Sequence, residues 1–246
     1  MLKITVIGCG RWGSCIAWYL DRLGHDITLY GRASSENMKH IINERKNEYM
    51  EFPESIVLST NISCCLESEI IVISINSQGL RDLCKQLAQL GIRDKILILC
   101  MKGIEVDTGK RLSEVLTDEG VDANNVAVWV GPGHIQAFTK GLPNCMVIDS
   151  QNKELVKILA DSFRSELIRF YYGDDIIGSE IGAAAKNVIG IAAGMLDGGG
   201  YTTLKGPLMA RGAREVSRLI KAMGGNELSA YGLCHLGDYE TTLFSE

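Results

Sequence analysis

The chain has 246 residues, 46% of them hydrophobic and 22% charged, with a formal net charge of −5. That length can bury a core as one large domain or two smaller ones, and the apolar share excludes a globally disordered protein. The acidic balance, without a long Lys/Arg block, argues against nucleic acid as the main partner but leaves room for a basic site that takes small anions.

The opening "MLKITVIGCG" runs directly into a strand-like pattern, with no apolar leader segment before it. The longest apolar runs, such as Val188 to Leu196, are short for a bilayer span, so the expectation is a cytoplasmic protein without membrane insertion. The eight cysteines form no C-x-x-C pair and the four histidines are not spaced to complete a zinc site. Reduced thiols and no metal are expected.

Strand-like runs cover Lys3–Ile7, Ile27–Tyr30, Ile70–Ile75, Ile96–Cys100, Val126–Val130, Cys145–Ile148 and Leu167–Tyr172. Helical patterns fall between them at Trp12–Leu23, Ser35–Asn47, Leu80–Leu90, Gly109–Leu116 and Lys153–Phe163. The alternation predicts an α/β fold, a Rossmann-like and mainly parallel sheet with helices on both faces. After about Asp175 the pattern becomes all helical, over Ile176–Leu196 and Pro207–Met223, with Gly198–Gly200 between. Two units are expected, 1–175 and 176–246.

Gly8, Gly10 and Gly13 have G-x-G-x-x-G spacing between a strand and a helix, the context that a dinucleotide-binding turn requires. Gly8 permits the tight turn, Gly10 lets backbone approach a pyrophosphate, and Gly13 allows close helix–strand packing. An NAD site often has an acid about 20 residues on, after the second strand. Here "LYGR" places Arg32 there, which suits a 2′-phosphate, so NADP is favoured over NAD.

Lys186 stands in "EIGAAAKNVIGIAAG" with Gly182, Ala183, Ile189 and Gly190 at helical neighbour positions, so no helical ion pair explains its charge. It either snorkels to water or faces a cleft that its small neighbours open.

With "SINSQGLRDL", "CMKGIE", "VGPGHIQAFTKGLP", "GSEIGAAAKNVIGIAAG" and "GLCHLGDYETT" following the glycine motif in order, the chain resembles the bacterial-type NAD(P)-dependent glycerol-3-phosphate dehydrogenases. The resemblance implies an oxidoreductase that reversibly reduces dihydroxyacetone phosphate to sn-glycerol 3-phosphate, for phospholipid synthesis. It implies Lys186 as the catalytic acid–base group and a substrate site of Lys102, Gly131, Gly133 and Asp238. It also implies cofactor contacts from Gly8, Gly10, Arg11, Trp12, Gly13, Lys102 and Ile135. The chemistry agrees, because a ketone receiving hydride needs an acid for its oxygen and a cation to stabilise the developing charge.

The sequence departs from the family at several places. Arg11 stands where a small serine is common and Asn76 where a proline is usual. "VGPGHI" puts Gly133 where a serine-led loop would offer a hydroxyl, and "GYTTLKGP" replaces the usual bend. His134 reads as a loop or pocket-lining residue. The sequence ends at Glu246, ahead of the Arg-Asn motif whose arginine grips the substrate phosphate in the family. A chain short at its C-terminus is therefore expected. Ile176–Leu196 is apolar around most of its circumference, which predicts an exposed apolar patch, a homodimer partner or missing C-terminal helices. Two other readings stand: a reductase of another small ketone or hydroxy acid, and a module that binds NADP without turnover.

Overall fold

The structure, a computed structural model, describes residues 1–239. The tail of the last family motif, Glu240–Thr242, lies outside the described residues. The chain runs β1 (Lys3–Ile7), α1 (Arg11–Arg22), β2 (Asp26–Tyr30), α2 (Glu36–Glu44), β3 (Val57–Ser59), β4 (Ile70–Ile73), α3 (Leu80–Gln89) and β5 (Ile96–Leu99). It continues through α4 (Leu112–Asp118), β6 (Val126–Val130), α5 (Ile135–Thr139), β7 (Asn144–Asp149), α6 (Lys153–Phe163) and β8 (Ile168–Tyr172). Two long helices follow, α7 (Ile176–Gly198) and α8 (Lys205–Ala222).

The eight strands form one sheet in the order β3-β2-β1-β4-β5-β6-β7-β8. All neighbours pair in parallel except β6 and β7, so β7 and β8 run against the other six. The first six strands have the doubly wound order, whose direction reverses between β1 and β4. β4 reads Ile-Ile-Val-Ile and is buried throughout. Its Ile70 and Val72 join one core with Ile16, Leu29, Trp129 and Phe163, while Ile71 and Ile73 join the opposite one with Leu83, Leu116 and Val128. Period-2 alternation in a strand covered on both faces gives this division.

The departures from the expected elements have local causes. The expected helix over Gly109–Leu116 starts only at Leu112, because Gly109 takes a left-handed φ of +71°. The helix from Ser35 stops at Glu44, where Arg45 turns left-handed at φ +48°. β3 and α5 were not expected; at three and five residues they are too short to show a period. All eight cysteines are free thiols, six of them buried.

α7 and α8 pack closely at Gly212, where an added Cβ would lie 2.9 Å from Ile189 Cδ1. The first half of α7 lies against β6, with Ala183 in the same core as Val128 and Val130. By length and composition alone α7 could cross a bilayer. A five-residue π-helix, Leu233–Gly237, then ends at Asp238. π-turns of this kind often accompany functional positions.

Candidate functional site

The turn after β1 is built around missing side chains. Gly8 has φ +114°, and any Cβ there would collide with the Ser74 carbonyl at the end of β4. A Cβ on Gly13 would collide with the Gly8 carbonyl, so α1 can approach the strand only through glycine. Gly10 is different: it caps α1 without a side-chain hydrogen bond, and nothing lies within 4 Å of where its Cβ would be. The first N–H groups of α1 therefore have no side-chain cap and the approach to them past Gly10 is open, a favourable setting for phosphate.

Two cavities meet at this turn, above the carboxyl ends of β1 and β4. One, of about 560 Å³, is lined by Gly8, Gly10, Arg32, Ser35 and, as its single carboxylate among the described residues, Asp82. The other, of about 590 Å³, is lined by Arg11, Trp12, Lys102, Gly133, His134 and Ile135, with no carboxylate in its wall among the described residues. Ser74, Ile75 and Asn76 line both, so the pair forms one trough across the switch point. A trough of this shape and place fits an extended dinucleotide.

Each wall residue has a reason for its place. The Arg11 guanidinium lies over the Tyr49 ring, 4.8 Å from its centroid. Trp12 packs on Gly133 so closely that a Cβ there would sit 2.7 Å from the indole. Gly131 turns at φ +127° beside the Met146 backbone. Ile135 opens α5 and is buried in the main core, so only part of it faces the cavity. Arg32 is exposed on the first cavity and forms no ion pair among the described residues.

The two motif lysines converge on one carboxylate. Lys186 Nζ donates to Asp238 Oδ1 at 2.6 Å, and Lys102 Nζ donates to Asp238 Oδ2. Asp238 is almost fully buried, its side chain 3% exposed, against 12% for Lys186 and 24% for Lys102. Two ammoniums thus share one buried carboxylate, on a chain whose total charge is −5. Burial holds the Lys102 amine below the usual lysine range; Asp238 pulls it up and Lys186 pushes it further down. Lys102 also reaches toward the Gly131 carbonyl at 3.4 Å and lines the second cavity, and the shared Asp238 carboxylate holds Lys186 next to it.

The sequence reading gave no site role to three groups. Ser74–Asn76 form the bridge between the cavities, and the signal was available: polar residues directly after an apolar strand mark the carboxyl edge of a parallel sheet. Glu180 is buried on α7 and accepts from Arg111 Nη1 at 2.6 Å, Ser113 N at 2.8 Å and Ser113 Oγ at 2.6 Å. Asp149, at the end of β7, accepts from Ser179 Oγ at 2.7 Å and Asp175 N at 3.2 Å. Glu180 anchors α7 to the start of α4 and Asp149 anchors it to the sheet, through partners 67 and 30 residues away, so no local pattern announces them.

Residues 3–156 match the family model described as NAD-dependent glycerol-3-phosphate dehydrogenase N-terminus, and residues 175–246 the one described as its C-terminus. The glycerol-3-phosphate dehydrogenase [NAD(P)+] of Thermoanaerobacter sp. (strain X514) is 35% identical over 249 residues, covering 99% of this chain and 74% of that protein. The Fusobacterium nucleatum protein of the same name is 36% identical over 251 residues, covering 100% and 75%. Among solved structures, the Coxiella burnetii glycerol-3-phosphate dehydrogenase aligns with a TM-score of 0.91 at 26% identity, over 100% of this chain and 76% of that one. The Dunaliella salina structure, at 18% identity and a TM-score of 0.88, shares the fold over 99% of this chain and 46% of its own.

Proposed function

Because this chain belongs to the NAD-dependent glycerol-3-phosphate dehydrogenase family, we propose that it interconverts dihydroxyacetone phosphate and sn-glycerol 3-phosphate as an NAD(P)-dependent oxidoreductase. The observation that carries the reading is the convergence of Lys186 and Lys102 on the buried Asp238, beside a cavity whose described wall residues include Lys102 and no carboxylate. Such a site favours an anionic substrate and an oxygen that gains negative charge.

When bound, the cofactor supplies the hydride that adds to the ketone carbon. Lys186 acts as the general acid: its N–H bond breaks as the new O–H bond forms, and the neutral amine regains a proton from water. Lys102 faces the cavity and stabilises the oxygen's developing charge. Asp238 holds both ammoniums in register and keeps their mutual repulsion from splaying them apart. Gly131 and Gly133 let the substrate loop approach closely. Gly8, Gly10 and Gly13 with the N-terminus of α1 would hold the cofactor's pyrophosphate, and Arg11, Trp12 and Ile135 would add contacts from the wall of the second cavity.

Arg32, exposed on the first cavity, supports a preference for the 2′-phosphate of NADP. Residues 1–175 serve as the cofactor unit and 176–246 as the substrate unit. The bare face of α7 supports a homodimer, and a cytoplasmic setting suits a reaction that feeds phospholipid synthesis.

The test is to mix the protein with NADPH and dihydroxyacetone phosphate and follow loss of the reduced nicotinamide absorbance. Lys186→Ala is expected to lower kcat by about 10²–10⁴ while NADPH binding stays unchanged. NADPH binding without turnover by the native protein would instead support a cofactor-binding module. Arg32→Ala is expected to cut the NADPH-over-NADH preference by roughly tenfold or more, the worth of a charged hydrogen bond. An unchanged ratio would remove Arg32 from the site.

A further inference from the structure

Three residues beyond Lys102 the same loop carries Glu105, a charge for which the reaction has no use. Its side chain is only 11% exposed and is gripped by Arg81 of α3 through a two-pronged fork. Arg81 Nε donates to Oε1 at 2.8 Å, and Nη2 donates to Oε2 at 2.8 Å. Thr108 Oγ1 adds a donor to Oε2 at 2.5 Å. The other donors of Arg81 reach the end of α4, to Glu119 at 2.8 Å and Asp118 at 3.1 Å. One guanidinium thus ties α3, the Lys102 loop and α4 together. A bidentate arginine–carboxylate pair fixes geometry as well as charge.

The backbone between Lys102 and Glu105 has little slack. Gln78 Nε2 donates to the Ile104 carbonyl at 3.0 Å, and Gln78 Oε1 accepts from Val106 N at 2.9 Å. Gly103 turns at φ +154°, where an added Cβ would lie 2.9 Å from Ser77 Oγ. A lysine stem is flexible, so where its ammonium rests depends on where its Cα is held. Neither Arg81 nor Glu105 lines the cavity, so any influence on substrate has to pass through the loop.

We propose that Arg81 is a positioning residue for Lys102: its fork on Glu105 fixes the loop that holds the substrate-facing ammonium beside Asp238. This rests on the assignment of Lys102 to the substrate site. With the fork broken, the loop relaxes, the ammonium leaves Asp238 and Lys186, and the amine titrates like an exposed lysine.

The test uses Arg81→Met, Glu105→Gln and Arg81→Lys in the full chain, with two readouts. The first is the pH profile of Lys102 acylation by acetic anhydride, read by peptide mass spectrometry. The second is steady-state kinetics with NADPH and dihydroxyacetone phosphate. The expected result is a Lys102 labelling midpoint that moves up in Arg81→Met and Glu105→Gln. With it, kcat/KM for dihydroxyacetone phosphate falls on the order of 10- to 100-fold, as for a misplaced group. NADPH binding holds, and Arg81→Lys, which keeps the charge but not the fork, falls between. Folded variants with an unmoved Lys102 labelling profile would overturn the proposal. So would activity losses that track only melting temperature and lost NADPH binding. Should the native protein fail to reduce dihydroxyacetone phosphate, the proposed reaction falls, and the labelling profile alone still decides whether the clamp positions Lys102.

Discussion

The two halves of α7 are held in opposite ways. From Gly178 to Ala183 the helix is buried, and polar partners hold it: Glu180 on Arg111 and Ser113, Ser179 on Asp149, and the Gly182 carbonyl on His235 Nδ1 at 3.0 Å. Beyond Lys186 the helix is more apolar, yet Val188, Ile191 and Met195 are 67%, 67% and 73% exposed along one face. Apolarity by itself therefore does not decide what is covered here. Specific long-range hydrogen bonds fix the first half, and Lys186 sits where that grip ends. The site inherits its geometry from the polar half.

The largest effect that could break this contrast is expected at Glu180. Burial raises its carboxyl above the usual glutamate range; Arg111 and Ser113 oppose that shift without cancelling it. Removing one member of a buried pair leaves the other charged and uncompensated, at about 3–5 kcal/mol. Arg111 keeps Glu114 at 3.2 Å as a second partner, so Glu180→Ala is expected near the lower end, about 3 kcal/mol. Glu180→Gln keeps an acceptor for Ser113 N and is expected to cost less, about 1–2 kcal/mol. Chemical denaturation reads both, and a cost below about 0.5 kcal/mol for Glu180→Ala would mean that packing alone seats the helix.

Asp149 sharpens the same contrast through pH. Burial pushes its carboxyl from 3.8 up to about 6, against the pull of Ser179 and Lys153. A carboxyl that binds its proton more tightly when folded penalises the fold as it ionises. Stability should therefore fall as pH rises from about 4 to about 6 and then level off. At about 1.4 kcal/mol per pH unit, the fall comes to about 2–3 kcal/mol. Asp149→Asn, which keeps an acceptor for Ser179, is expected to flatten that stretch of the stability–pH curve. A curve of the same slope in native protein and variant would assign the change to another group.

Much of this was readable from sequence, for identifiable reasons. Strands such as Lys3–Ile7 and Val126–Val130, and the helix Lys153–Phe163, sit where their patterns put them, because burial on a fixed period leaves a local trace. The glycine turn was legible because Gly8 and Gly13 answer to backbone collisions within a single β–turn–α unit and its neighbouring strand. The antiparallel insertion of β7 left no trace, since a run of Cys, Met, Val and Ile reads the same in either direction. The convergence of Lys102, Lys186 and Asp238 spans 136 and 52 residues and came from the family resemblance, not from spacing. Glu180 and Asp149 had no such aid. A buried acid is recognisable only once its distant donors are known.

The smallest expected effect bears on the exposed face of the second half of α7, whose other side packs on α8 through Ile189. Val188, Ile191 and Met195 follow i, i+3, i+7 spacing, so they form one stripe rather than scattered exposures. If that stripe faces solvent in the single chain, replacing Val188 and Ile191 together with serine removes no buried contact. Stability should then change by no more than about 0.5 kcal/mol. Self-association would respond differently, because a helix face that meets a second copy loses its apolar anchors in the same variant. The expected pair of results is an unchanged denaturation midpoint at low protein concentration and a shift from dimer to monomer by light scattering. A loss above about 2 kcal/mol in the monomer would show that the face is buried within a single chain, since losses of that size come from buried groups. In that case the second half of α7 would be covered on this face as well as on the side that Ile189 packs against α8, by apolar contacts where the first half uses hydrogen bonds.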